Sequence, residues 1–189
     1  ANRYPGKIHP EGFQYLTSVR LDPFPVWTYE AGGVVIEKRL FMPHGQNAVV
    51  CIWELKGKAK NVSLELRPLI SFVDYHHLQH ADPSFETAFE EAKGSIRLRP
   101  YGDLPELYIG HNASSVEKTG HWYHDFELAI EEERGFDFRE DLFQPFAMKF
   151  DLSKPAVAIA ATEPIESKKA AKLEAAERKR RAGLIAKAG

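Results

Sequence analysis

Two stretches of this sequence group side chains that could do chemistry together. The first is Asp74-Tyr75-His76-His77-Leu78-Gln79-His80. His76 and His80 stand four apart, a spacing that on a helix would set two imidazoles on one face for a metal ion. The segment follows a strand-like run, lacks helical patterning, and has no cysteine cluster or HExxH motif beside it. No metal and no cofactor is therefore expected. As a loop, it supplies donors, acceptors and a flat ring, the mixture that a sugar needs. The second stretch is Trp122-Tyr123-His124-Asp125, after Gly120-His121. An aromatic pair beside an acid suits a saccharide subsite, whereas the competing reading buries Trp122 and Phe126 and leaves Tyr123 at the rim. The candidate carbohydrate-binding residues are thus Tyr75, His76, His80, Trp122, Tyr123 and Asp125.

Other charged groups read as surface. Glu131-Glu132-Glu133 and Glu140-Asp141 offer carboxylates, but adjacent acids usually form a solvated face, and no matched pair across a cleft stands out. No catalytic residue is assigned. The run Arg178-Lys179-Arg180-Arg181 would suit nucleic acid in isolation. Among alternating Glu and Lys it reads as a solvent-facing or interdomain surface. Net charge is −2, so no global field attracts nucleic acid or an anionic membrane. The one cysteine, Cys51, lies in Ala-Val-Val-Cys-Ile-Trp, the setting of a small apolar strand residue rather than a reactive thiol. A chain without a disulfide fits a reducing cytoplasm. No stretch is apolar enough to span a bilayer, and the N-terminus is not a signal peptide. The missing initiator methionine points to processing or excision.

The elements that must position these groups are mostly strands. Residues 1–25 are rich in Pro, Gly and aromatics and read as an ordered, irregular lead-in. Val26–Glu30 and Val34–Met42 flank Gly32-Gly33, a β-hairpin signature. Ala48–Leu55 is a third strand, and Val62–Ile70 alternates with period 2 as a half-buried fourth. Ser95–Arg99, Glu106–Gly110, Trp122–Leu128, Phe146–Leu152 and Ala156–Thr162 continue the series, with Trp122–Leu128 running into a helical turn. Strands at short spacing predict an antiparallel sandwich rather than βαβ units. Beyond Pro164 the residues are Ala, Lys, Glu and Arg, which predicts one helix over 165–187. Its apolar stripe of Leu173, Ala176 and Leu184, with Arg180 on the same row, is thin, so light packing on the sandwich is expected.

Several blocks resemble the N-terminal domain of bacterial and archaeal glycogen debranching enzymes. They are Asn2-Arg3-Tyr4-Pro5-Gly6, His9-Pro10-Glu11-Gly12, Asp22-Pro23-Phe24-Pro25-Val26-Trp27 and Val34-Val35-Ile36-Glu37-Lys38. Next come Phe41-Met42-Pro43-His44-Gly45, Leu66-Arg67-Pro68-Leu69-Ile70, Asp74-Tyr75-His76, Gly120-His121-Trp122-Tyr123 and the run Arg134-Gly135 through Leu142-Phe143. The resemblance implies a mainly β fold, an antiparallel supersandwich of the galactose-mutarotase type, over residues 1–164. It implies that 165–189 form a helical linker toward a C-terminal (α/α)6 barrel carrying the amylo-α-1,6-glucosidase chemistry. The family domain starts upstream with a Gly-rich stretch, so the first strands of the domain are expected to be missing. Pro145 is followed by Phe146 where the family tends to have Gly.

The implied partners are an α-glucan (glycogen, maltooligosaccharide or limit dextrin) and the barrel. Two other readings stand beside this. A mutarotase-like enzyme would use His44, His76, His80 and Glu127 on a sheet face. A pure scaffold would turn all its aromatics to a core. Without a barrel or an acid pair, the chain is expected to release no glucose from limit dextrin; measurable release would refute that.

Overall fold

The computed structural model describes residues 2–188, with the exception of Tyr75. The strands in chain order are β1 (Asn2–Tyr4), β2 (Lys7–His9), β3 (Leu16–Leu21), β4 (Pro25–Ala31), β5 (Val34–Phe41), β6 (Ala48–Lys56) and β7 (Ser63–Leu66). After a long connection come β8 (Phe89–Ala92), β9 (Ser95–Leu98), β10 (Leu107–His111) and β11 (Ser115–Glu127). A short helix, α1 (Ala129–Glu133), precedes β12 (Arg139–Asp151) and β13 (Ala156–Ala161), and α2 (Ala170–Ala188) follows. The fold is mainly β, and every strand pairing is antiparallel. The hairpin of β4 and β5 turns through Gly32 and Gly33 at φ 57° and 77°, the left-handed conformation that a two-residue turn demands and glycine adopts without strain.

Eight strands form the large sheet in the order β3-β4-β5-β6-β13-β10-β9-β8. A three-stranded sheet, β11-β12-β7, lies on one of its faces, and α2 lies on the other. Because side chains alternate across a strand, β6 serves both layers. Ala48, Val50 and Ile52 pack in the core beneath α2, while Trp53 and Leu55 pack toward the small sheet. The core between the sheets holds Ile96, Leu98, Ile109, Phe143, Phe146, Met148 and Phe150. Ile70 fastens the loop after β7 to the small sheet through reciprocal backbone bonds with Phe143, at 2.9 and 3.0 Å. The sandwich and the C-terminal helix accord with the sequence reading; the second layer has three strands among the described residues.

The helix is held more firmly than its thin stripe predicts. Ile165, Ala170 and Leu173 join the core of Phe24, Phe41 and Val50. The further anchors are polar, so apolar periodicity is blind to them. The guanidinium groups of Arg178 and Arg181 each sit 4.9 Å from the Phe24 ring centre and donate to the carbonyls of Asp22 and Pro23, both at 2.9 Å. Glu177 is 2% exposed and receives Arg180 at 2.6 Å and Arg181 at 2.9 Å. The Arg180 bond chiefly, with Arg181 and the His44 amide, outweighs burial and draws the Glu177 carboxyl down to about 2. The opposite face of the helix, with Lys172, Ala175 and Lys179, is exposed, and so is the far end with Leu184 and Ile185. The basic run 178–181 therefore spends its three arginines within the fold rather than on a nucleic-acid surface.

Gly110 sets the approach of the segment leading into α2. A Cβ there would stand 2.3 Å from the carbonyl oxygen of Ile165, a contact that backbone cannot absorb. Gly110→Ala is expected to cost about 2 kcal/mol and to speed amide exchange in α2 more than in β5 and β6. Uniform protection would contradict this. The Glu177 carboxyl is depressed in the folded state, so its contribution is complete above its ordinary value of 4.5 and is lost as pH falls toward about 2. In Glu177→Gln that part of the acid dependence should vanish in thermal melts between pH 5 and 2; an unchanged acid profile would refute the assignment.

Candidate functional site

The two stretches singled out by their chemistry meet through a residue outside both. β11 and β12, 13 residues each, pair along their length, with irregular register between Lys118 and His121 and again between Tyr123 and Phe126. The second irregularity is a bulge at His124 and Asp125. Asp125 sits at φ 61°, a conformation that a short polar side chain tolerates better than most. Such bulges re-aim side chains and often border functional sites.

Asp141 on β12 holds this bulge against the 76–81 loop. Its Oδ1 accepts the Asp125 amide at 3.1 Å, and its Oδ2 accepts the Ala81 amide at 2.9 Å. His124 Nδ1 lies 3.1 Å from the same Oδ2. The Asp141 amide in turn donates to the Gln79 carbonyl at 2.7 Å. Burial pushes the Asp141 carboxyl up, but the two amides and His124 together outweigh it and hold it below the ordinary carboxylate range. Gln79, 3% exposed, shapes the loop from within. Its Oε1 accepts the Phe72 amide at 3.1 Å and its Nε2 donates to the His80 carbonyl at 2.8 Å.

The candidate residues fall into different places. Tyr75 lies outside the described residues. His76 and His80 are exposed on the loop, and Asp125 is exposed on the bulge. Trp122 and Tyr123 are neighbours on a strand and so point to opposite faces. The Trp122 ring packs 5.0 Å from Phe85 and 5.2 Å from Phe143, at the margin of the core. Tyr123 lies across from Leu142. The arrangement thus brings His80, His124 and Asp125 to one rim, with Trp122 as part of the floor beneath and Tyr123 on the other face.

Sequence reasoning missed Asp141 and Gln79 as organising residues. The signal available was an acid inside a β-forming run, Phe138–Phe150, where alternation predicts a partner. Glu140, next to it, is half-buried; burial raises its carboxyl, and only the charge of His80 opposes this. It is not one of a matched acid pair. Glu127 is fixed between Arg3 at 3.2 Å and Arg139 at 3.1 Å. His44 lies in a hollow beside Leu173, Glu177 and Arg180 of α2. The mutarotase set of His44, His76, His80 and Glu127 is therefore not gathered on one face.

Among the described residues no group of three His, Cys, Asp or Glu side chains is placed to hold a metal ion, and no helix is long and apolar enough to cross a membrane. Cys51 is half-buried, and burial pushes its thiol up, as for an unreactive strand residue. Three hollows, of 290, 440 and 200 Å³, lie along α2, and none includes a candidate carbohydrate residue.

Comparison with known proteins gives one match. The family model described as glycogen debranching enzyme N terminal fits residues 1–159. No curated protein and no solved structure matches. The matched stretch takes in the eight-stranded sheet up to β13, the small sheet and the Asp141 clamp, so the chain belongs to the glycogen debranching enzyme N-terminal family.

Proposed function

We propose that this domain helps a glycogen debranching enzyme to recognise its α-glucan. The glucan lies along the rim formed by the 76–80 loop and the 122–125 segment of β11. His76, His80 and Asp125 take hydroxyls, Trp122 supports the apolar floor, and Tyr123 extends the surface onto the neighbouring face. The observation that carries this reading is the Asp141 carboxylate, which joins the two segments through the amides of Ala81 and Asp125. A sugar asks for polar groups ringed about an aromatic surface, and a clamp between the two polar segments supports such a surface.

The α-1,6-glucosidase step belongs, in this reading, to a C-terminal (α/α)6 barrel reached through α2, and the whole works in the cytoplasm. A family that acts on glycogen favours a glucan over other sugars. Anomer interconversion is disfavoured because His44 and Glu127 are committed elsewhere.

Maltooligosaccharide titration followed by amide shifts tests the proposal. Shifts should gather at His76, His80, Tyr123 and Asp125 with a dissociation constant on the order of millimolar. His80→Ala and Tyr123→Ala should weaken binding while leaving thermal stability nearly unchanged. Trp122→Ala should instead cost about 3 kcal/mol of stability, because its ring packs on Phe85 and Phe143. Shifts at residues 131–133 or 178–181, or none at all, would refute the proposal.

A further inference from the structure

Glu140 on β12 is half-buried, and among the described residues no hydrogen bond or ion pair meets its carboxylate. Both edges of β12 are filled beside it. β11 pairs on one side, with Phe126 directly opposite Glu140. On the other side the Gln79 carbonyl accepts the Asp141 amide at 2.7 Å. The charged groups of the neighbouring elements are committed elsewhere. Arg139 of β12 and Arg3 of β1 hold Glu127 at 3.1 and 3.2 Å. On the bulge of β11, His124 lies 3.1 Å from Asp141, and Asp125, which gives its amide to Asp141, is exposed. From the loop, the charge of His80 tempers the burial of Glu140 without bonding to it.

Strand alternation fixes the face of Glu140. The extra residue of the His124–Asp125 bulge belongs to β11, so β12 runs on regularly from Glu140 to Phe143. Asp141 and Phe143 share the face of Trp122. Glu140 and Leu142 share the other face with Tyr123, which stands opposite Leu142. Glu140 therefore lies two residues along the strand from Leu142, about 7 Å. Tyr123 and Leu142 are half-buried, and neither belongs to the two cores. They form a small apolar patch with a carboxylate at its end.

Such a patch complements a glucose unit, whose ring face is weakly apolar and whose rim carries adjacent hydroxyls. We propose that Glu140 is a further glucan-binding residue, its two carboxylate oxygens accepting two adjacent ring hydroxyls of a glucose unit seated on Tyr123 and Leu142. The assignment rests on the glucan reading of the rim and extends that site onto the second face. An ionised carboxylate only accepts hydrogen bonds, so it selects neighbouring hydroxyls that are free to donate. An α-1,4 or α-1,6 linkage leaves such a pair on every unit. Hydrogen bonds to an ionised acceptor are stronger than neutral ones. A half-buried carboxylate without a partner destabilises the empty domain, and the sugar hydroxyls relieve that cost. A metal ion would need more ligands, and among the described residues no three His, Cys, Asp or Glu side chains are placed to supply them.

The test is maltotriose titration of the 189-residue chain, followed by amide shifts in the wild type and in Glu140→Gln. The variant should bind about tenfold more weakly. It should melt at the same temperature or higher, because it removes an unpaired, half-buried charge. Burial makes Glu140 take up its proton above the ordinary value of 4.5, so wild-type affinity should fall to that of the variant as pH drops toward 4.5. Asp141 is held below the ordinary range and keeps its charge there, so the clamp stays closed. Should the glutamine variant fail to fold, Glu140→Asp withdraws the charge by one methylene and should weaken binding while keeping the fall toward 4.5. Equal affinity in wild type and Glu140→Gln, with shifts still gathered at His80 and Asp125, would overturn the role of Glu140 and leave the rim reading standing. A wild-type affinity that stays flat as pH drops would do the same. No shifts in the wild type would overturn both.

Discussion

The carboxylate of Asp141 collects two backbone amides and a histidine that come from segments sixty and sixteen residues away in the chain. An irregular loop and a bulged strand have no reason of their own to lie together. The loop follows no ladder, the ladder of β11 is broken at the bulge, and ordering each backbone residue costs about 1–2 kcal/mol. The charge-assisted bonds to Asp141 offset part of that cost. They also explain why its carboxyl stays ionised below the ordinary range despite partial burial. With the clamp closed, His80 and Asp125 share a rim; with it open, they belong to separate loops.

The clamp needs a rigid support, and the support is a sheet used on both faces. The small sheet rests on one face of the eight strands and α2 on the other. Gly110 permits the second contact by letting the Ile165 backbone come where no Cβ could stand. The helix is then retained by Glu177 and by arginines over Phe24. The far end of the helix, with Leu184 and Ile185, is exposed.

Most strands from β4 onward were legible in the sequence, whereas β1, β2 and β3 lie in the stretch read as an irregular lead-in and β8 in one read as irregular. The Gly32-Gly33 hairpin, the alternation of Ser63–Leu66 and the strand-to-helix passage after Phe126 all follow from spacing and turn chemistry. The layering of the strands was less legible, because it depends on which alternate face finds cover. The polar anchors of the helix were not legible, since a count of apolar residues does not register Arg178 and Arg181 over an aromatic ring. At the site, His76, His80 and Asp125 were visible as polar residues outside clean alternation. Trp122 was visible without its direction, and a bulge decides direction by one residue. Asp141 was visible only as an acid among acids, because nothing local says that Ala81 and Asp125 will come to it.

The central claim is that one carboxylate makes one surface of two segments. Amide hydrogen exchange in Asp141→Ala measures it most directly, with maltooligosaccharide titration on the same sample. The amides of Ala81 and Asp125 should lose protection together, the glucan-induced shifts should disappear, and the amides of β5, β6 and β13 should keep their protection. Unchanged protection at both amides, with glucan binding intact, would contradict the account.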